Sequence, residues 1–365
     1  MPITLAAVEA VLAAHSDPYL GGDASYALLV RAADTQVTDD GRVFVHIVLP
    51  YPHRDPAGAF AAPLEAALHV AGARDVHIRW SHEIPRIKPQ GEVEPLTLAR
   101  NVIAVASGKG GVGKSTTAVN LALALAREGA KVGLLDADIY GPSLPTMLGI
   151  GIGKYPDTVD DAWFVPHHAH GVDVMSIGFL LQGDSPVVWR GPKATGALIQ
   201  LVSQTRWSSL DYLIVDMPPG TGDIQLTLAQ RVPVAGAVVV TTPQDIATLD
   251  AKKGIEMFRK VDITVLGIVE NMSQHICTNC GHTEAIFGSG GGVQMAEQYD
   301  VALLAQLPLD KRIREQTDIG CPTVVADPDG NLAQQYTELA RRVSARLALG
   351  QRVADTRIPL NPSSK

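Results

Sequence analysis

Cysteine is scarce in this 365-residue chain: three residues, Cys277, Cys280 and Cys321, too few and too unevenly placed for a disulfide framework. Such usage fits a reducing compartment, so a cytoplasmic location is expected. Long apolar runs are missing as well. None approaches the ~20 residues needed to span a bilayer, and the opening Met-Pro-Ile-Thr-Leu-Ala-Ala lacks the basic segment that begins a secretion signal. No membrane partner is expected. Basic charge is in deficit, with 30 Lys and Arg against 38 Asp and Glu and a net charge of -8. Nucleic-acid binding leaves a clustered basic footprint, so no nucleic acid is expected either. Internal repeats, low-complexity tracts and heptads are also absent.

The length suits one large domain and one small one. Residues 1–82 alternate a helical pattern from Thr4 to Ala14, a strand from Val43 to Leu49, a second helix from Phe60 to Ala73 and a strand ending near Trp80, which predicts a small α+β domain. Residues 83–98 shift to Pro, Lys, Glu and Gly and read as an exposed linker. From 99 to 347, short β-branched runs (Val102 to Ala106, Val132 to Leu135, Tyr212 to Val215, Ala237 to Thr241, Val265 to Val269) alternate with helical stretches. Strands buried on both faces read this way, so the prediction is an α/β fold, a doubly wound and mostly parallel sheet. Residues 348–365 end in Pro-Ser-Ser-Lys and read as a flexible tail.

Gly108-Lys109-Gly110-Gly111-Val112-Gly113-Lys114-Ser115, followed by Thr116, satisfies G-x-x-x-x-G-K-[ST] between an apolar strand and a helix running to about Arg127. Glycines let backbone N–H groups converge on phosphates at a helix N-terminus. This loop predicts a P-loop ATPase that binds ATP, with Lys114 on the phosphates and Ser115 on Mg. Two carboxylate segments follow strand ends, Asp136-Ala137-Asp138 and Asp216-Met-Pro-Pro-Gly-Thr-Gly-Asp223. Strand C-termini face the ligand edge of an open α/β sheet. Asp216 is therefore assigned to Mg through water, Gly220 to the γ-phosphate through its N–H, and Asp138 to the attacking water.

Cys277-Thr-Asn-Cys280-Gly-His282 lies on a separate Gly-rich loop. Two thiolates at i and i+3 bind one metal or one edge of a cluster, and cannot close a four-ligand site alone. Three readings stand from spacing: a zinc knuckle completed by His275 or His282, which spacing by itself favours, a redox dithiol, or half of a site shared by two subunits.

The second lysine of the phosphate loop, Lys109, makes it resemble the deviant Walker A motif of SIMIBI-class ATPases. Together with Asp136-Ala-Asp-Ile-Tyr-Gly-Pro-Ser-Leu-Pro145, Trp189-Arg-Gly-Pro192, Asp216 to Asp223 and Glu270-Asn-Met-Ser273, it resembles the Mrp family of iron-sulfur cluster carriers over about Asn101 to Leu347. That resemblance implies a homodimer in which Lys109 reaches the partner's nucleotide and Asn271 contacts the adenine, with the chain after Leu307-Pro308 beside it. It also implies a labile [4Fe-4S] cluster held between the Cys277 and Cys280 pairs of two subunits and passed to apo iron-sulfur proteins, with a scaffold protein as a further partner. It reverses the order that spacing alone gives to zinc. The alternatives are a positioning ATPase of the partitioning type, for which the tail offers neither an amphipathic helix nor a basic surface, and an ATPase with a structural zinc knuckle.

Residues 1–82 resemble the small iron-sulfur assembly domain that precedes many Mrp ATPases, through Asp17-Pro18-Tyr-Leu-Gly21. Where that family carries a cysteine, this chain has Tyr51-Pro-His53-Arg-Asp-Pro56, so docking or scaffolding is as well supported as cluster handling. His53 reads as an exposed turn residue, the run His167-His168-Ala-His170 as a solvated loop, and Cys321 as a small buried apolar side chain.

Overall fold

Alternation of Val43, Val45, Ile47 and Leu49 turns one face of a strand inward, and these four are at most 2% exposed. The computed structural model describes residues 3–21, 24–88, 99–151, 154–160, 162–180, 191–277 and 279–355. The chain divides into two units, Met1–Pro85 with Ser344–Lys365, and Arg86–Val343.

In the first unit α1 (Leu5–Ala14) starts at Thr4, whose hydroxyl accepts the Ala7 N–H at 3.2 Å. Strands β1 (Gln36–Val37), β2 (Arg42–Leu49) and β3 (Asp75–His82) form a sheet in that order, with β2 and β3 parallel. Between them runs α2 (Pro56–Val70), which begins before the predicted Phe60 because Asp55 caps it by accepting the Gly58 N–H at 2.8 Å and Pro56 suits the first turn. Val8, Leu12, Leu64 and Leu68 close the core over the sheet, each contributing about 1.5–3 kcal/mol of apolar burial. His53 is only 5% exposed, in contrast to the expected surface turn, because it packs edge-on against Phe60 at 4.9 Å.

The second unit is an α/β doubly wound sheet. In chain order it contains β4 (Ala99–Ala106), α3 (Lys114–Arg127), β5 (Val132–Asp136), α4 (Leu144–Met147), the short ribbon β6 (Thr158–Val159) and β7 (Trp163–Phe164), β8 (His167–Ala169), β9 (Val172–Ser176) and α5 (Gly191–Gln204). There follow β10 (Leu210–Asp216), α6 (Asp223–Arg231), β11 (Val234–Thr241), α7 (Asp245–Lys260), β12 (Val265–Glu270), the hairpin β13 (His275–Ile276) and β14 (Thr283–Glu284), α8 (Gly291–Tyr299), β15 (Leu303–Gln306), α9 (Lys311–Asp318), α10 (Thr323–Ala326) and α11 (Asn331–Asp355), whose residues from Ser344 on belong to the first unit. The eight-stranded sheet has the order β15-β12-β11-β4-β10-β5-β9-β8, parallel except for β8. Its central strands carry apolar runs, Val102 to Ala106 in β4 and Tyr212 to Val215 in β10, as burial on both faces requires.

Several expectations change here. His167 to Ala169 form the antiparallel edge strand rather than a solvated loop, with the His167 ring 4.5 Å from that of Phe179. Within the expected linker Ile84 and Ile87 are buried, and the Ile87 N–H donates to Asn101 Oδ1 at 2.8 Å; residues 89–98 lie outside the described residues. The expected tail is helical to Asp355, because Ala345 and Leu349, one helical turn apart, join the core of the first unit; 356–365 lie outside the described residues. Trp189 and Arg190 of the quoted motif do so too. Cys321 is half-buried rather than buried.

In the first unit Asp17 is fully buried and accepts N–H bonds from Tyr19 (2.8 Å) and Leu20 (3.1 Å) and the Tyr51 hydroxyl (2.7 Å). Burial raises its pKa against these bonds. Tyr51→Phe leaves one buried carboxylate oxygen without its donor, and thermal unfolding is expected to show a loss of about 1–3 kcal/mol; an unchanged melting curve would remove this triad of bonds as a stabilising element.

Candidate nucleotide site and cysteine hairpin

The phosphate loop joins the end of β4 to the start of α3, and its path needs glycine at two places for different reasons. Gly113, at φ 85°, has no room for a side chain: an added Cβ would lie 2.1 Å from Asn271 Nδ2. Gly108 meets a neighbouring backbone instead, since a Cβ there would lie 2.1 Å from the Asp250 carbonyl carbon in α7. The loop is thus fixed from both sides. Asn271, just beyond β12, donates from Nδ2 to Val112 O at 2.9 Å, so the amide expected at the adenine braces the phosphate loop. Ser273 donates its N–H and hydroxyl to Leu307 O at 2.9 and 3.0 Å, which brings Leu307-Pro308 beside this segment. The Gly220 N–H, expected to face the γ-phosphate, is donated to Ser107 O at 2.9 Å. Thr116 O accepts from Asn120 Nδ2 at 3.0 Å, within α3.

Parallel register brings the carboxylates together, with Asp216 of β10 directly opposite Asp136 of β5. Lys114 Nζ lies 2.6 Å from Asp216 Oδ1 and 3.8 Å from Asp138 Oδ2, and donates to Ser115 Oγ at 3.3 Å. The Lys114 and Asp216 side chains are 6% and 0% exposed, so this pair is shielded from water. Burial and the neighbouring Asp216 push Asp136 up to about 7. Burial raises Asp216 too, but Lys114 and the Ser115 hydroxyl pull it down.

Four of the predicted residues, Lys114, Ser115, Asp138 and Asp216, thus converge. Asp216 Oδ2 is buried with no hydrogen-bond partner, and with Ser115 Oγ it supplies the hard oxygen donors that Mg prefers. Sequence reasoning assigned nothing to Asp136, yet it positions the loop. Its Oδ1 accepts the Asp138 N–H at 3.1 Å, and its Oδ2 accepts the Leu144 N–H at 3.1 Å and the Ser176 hydroxyl at 3.0 Å. Its place at a strand end beside Asp138 was the available signal; Ser176, 40 residues away, gave none. Lys109 is half-buried, and the adjoining Gly110 and Gly111 are exposed with no neighbouring atoms where a Cβ would stand.

Cys277 and Cys280 sit at the tip of the β13–β14 hairpin, both free thiols, half-buried and exposed respectively. The turn closes by N–H bonds from Cys277 to His282 O and from Gly281 to Cys277 O, both 2.9 Å. N–H groups of Cys280 and Asn279 point at the Cys277 sulfur and hold its pKa below the usual thiol value. His275 Nδ1 faces Leu309 O at 3.1 Å. Among the described residues no group of three or more His, Cys, Asp or Glu is arranged to hold a metal ion.

Residues 98–344 match the ParA family, as NUBPL iron-transfer P-loop NTPase. The chain belongs to this family. A Pseudomonas fragi protein named iron-sulfur cluster carrier protein is 65% identical over 253 residues, 69% of this chain and 88% of that one. Its Escherichia coli K12 counterpart of the same name is 53% identical over 309 residues, 84% of each chain. A solved nucleotide-binding protein from Archaeoglobus fulgidus, in complex with ADP, superposes with a TM-score of 0.56 at 38% identity, covering 64% of this chain and 90% of that one. As a P-loop NTPase of the NUBPL iron-transfer family, the protein is an ATPase on a doubly wound sheet.

Gly113→Ala adds one methyl where Asn271 stands and forces a left-handed conformation on alanine. It is expected to weaken ATP binding by about tenfold or more, equivalent to about 1.4 kcal/mol, in a titration with a fluorescent nucleotide; wild-type affinity would show that the loop tolerates other geometries. Because Cys277 is depressed, its alkylation by iodoacetamide should reach half-maximal rate below the ordinary thiol pKa of about 8.5, and a midpoint at or above that value would contradict the N–H bonds to its sulfur.

Proposed function

We propose that the protein binds an iron-sulfur cluster on Cys277 and Cys280 of two chains, and that ATP turnover at the phosphate loop accompanies transfer of the cluster to apo-proteins. The observation that carries this reading is the hairpin tip: two free thiols, one with a depressed pKa, presented at or near the surface, with no group of three or more metal-ligating side chains among the described residues. Two ligands from each of two chains complete a four-thiolate set. Exposure suits a cargo that must leave, whereas a structural zinc site is closed by its own chain. The relatives named as iron-sulfur cluster carriers support the same reading over most of their length.

In the ATPase role, Lys114 neutralises phosphate charge, Asp138 orients the attacking water and Lys109 serves the partner's nucleotide across the homodimer. Ser115 and Asp216 would hold Mg, which supplies charge neutralisation of the phosphates when bound. Asn271 and Gly220, assigned to adenine and the γ-phosphate, also stiffen the loop through the bonds they make to Val112 and Ser107. The first unit, with no cysteine, serves docking to a scaffold or client. A positioning ATPase is not favoured, since the matching family model is an iron-transfer one and the similar relatives are named iron-sulfur cluster carriers.

Anaerobic reconstitution with iron and sulfide tests the proposal. The expected product absorbs broadly near ~400 nm, holds about four irons per dimer and is lost in Cys277→Ala/Cys280→Ala, which still binds ATP. Tightly bound zinc without a chromophore, or a cluster that survives loss of both thiols, would overturn it. Lys114→Ala is expected to abolish ATP turnover while leaving the reconstituted chromophore, and undiminished turnover would remove the role assigned to that lysine.

A further inference from the structure

Helix α7 turns to solvent a stripe that the nucleotide site does not use. Ile246 and Leu249 are 71% and 57% exposed, and Lys252, Lys253, Glu256 and Lys260 continue the same face at helical spacing. Beside the stripe runs a groove of about 490 Å³. Leu226 of α6, Leu249 and Met257 form its apolar floor, with Tyr299 of α8 as one wall. Arg259 fixes that wall: its guanidinium lies 5.4 Å from the Tyr299 ring centroid and donates to Tyr299 O.

The charges on the rim are uneven. Lys253 pairs with Asp250 at 2.9 Å, and Glu256 faces Arg259 at 4.0 Å. Among the described residues Lys252 and Lys260 enter no ion pair. In a chain of net charge -8 this is a local cationic rim around an apolar concavity. The α7 backbone at Asp250 lies against Gly108 too closely to admit a Cβ.

We propose that this groove docks an acidic amphipathic segment of a partner protein. Apolar side chains spaced at i, i+3 or i+4 and i+7 enter the floor, and flanking carboxylates pair with Lys252 and Lys260, the helix-in-groove mode of recognition. Concavity selects a protein segment over a lipid surface, since a flat bilayer cannot reach Met257, which is 7% exposed. Exposed rim charges of this kind set specificity and association rate and weaken with salt. Apart from Thr221, next to Gly220, the lining shares no residue with the nucleotide site or the cysteine hairpin, and the proposal does not rest on cluster carrying.

The test uses fluorescence anisotropy of the full-length protein with a labelled synthetic peptide of about four helical turns, carrying Leu at that spacing and Glu on both flanks. A second peptide has Lys in place of every Glu. Saturable binding of the acidic peptide is expected, at least about tenfold tighter than the basic one, equivalent to about 1.4 kcal/mol. Lys252→Glu/Lys260→Glu is expected to reverse that preference, and Leu249→Ser to weaken the acidic peptide, with circular dichroism and ATP binding unchanged in both variants. Equal affinity for the two peptides, no saturable binding, or binding indifferent to the charge reversal would overturn the proposal. So would charge-dependent retention on phosphatidylglycerol vesicles without peptide binding, which would assign the face to a membrane surface.

Discussion

The buried ion pair of Lys114 and Asp216, 2.6 Å apart, is the interaction on which the site depends. It ties the first residue of α3 to the last residue of β10, and so fixes where the phosphate loop ends relative to the sheet edge. Both groups are out of water, where removal of one partner costs about 3–5 kcal/mol because the other is left charged and unpaired. Asp136 next to it is held near pKa 7 by the same burial. One strand edge thus concentrates three carboxylates around one ammonium, with the rest of the loop braced by Asn271 and Ser107.

The cysteine hairpin obeys a different logic. It lies beyond β12, at the surface, and its own backbone N–H groups depress the Cys277 thiol. Nothing in its formation uses the ion pair. The hairpin and the phosphate loop are separate segments, and Asn271, between β12 and the hairpin, touches the loop at Val112.

Much of the second unit was legible in the sequence. Buried parallel strands carry uninterrupted β-branched runs, so β4, β5, β10, β11 and β12 were found to within a few residues, and the P-loop residue types are dictated by local backbone needs. The first unit was less so. The start of α2 was missed because Pro56-Ala-Gly58 looks like a turn until Asp55 caps it, and His53 was placed outside because nothing local shows that Phe60 will cover it. The end of α11 was missed for a similar reason: Ala345 and Leu349 are apolar residues of a helix whose burial depends on a core formed by residues hundreds of positions earlier.

The sequence by itself determined the chemistry available: a glycine-rich loop with two lysines, aspartates at strand ends and a pair of thiols three residues apart. Each follows from short-range geometry, since turn conformation, strand burial and ligand spacing are properties of neighbouring residues. Only the tertiary structure decided how those groups are used. Parallel register set Asp136 opposite Asp216, packing committed the Asn271 amide and the Gly220 N–H to the loop, and α7 closed on Gly108 while leaving a basic apolar groove outside. These are long-range contacts, fixed when strands and helices distant in sequence pack together, and no local pattern encodes them.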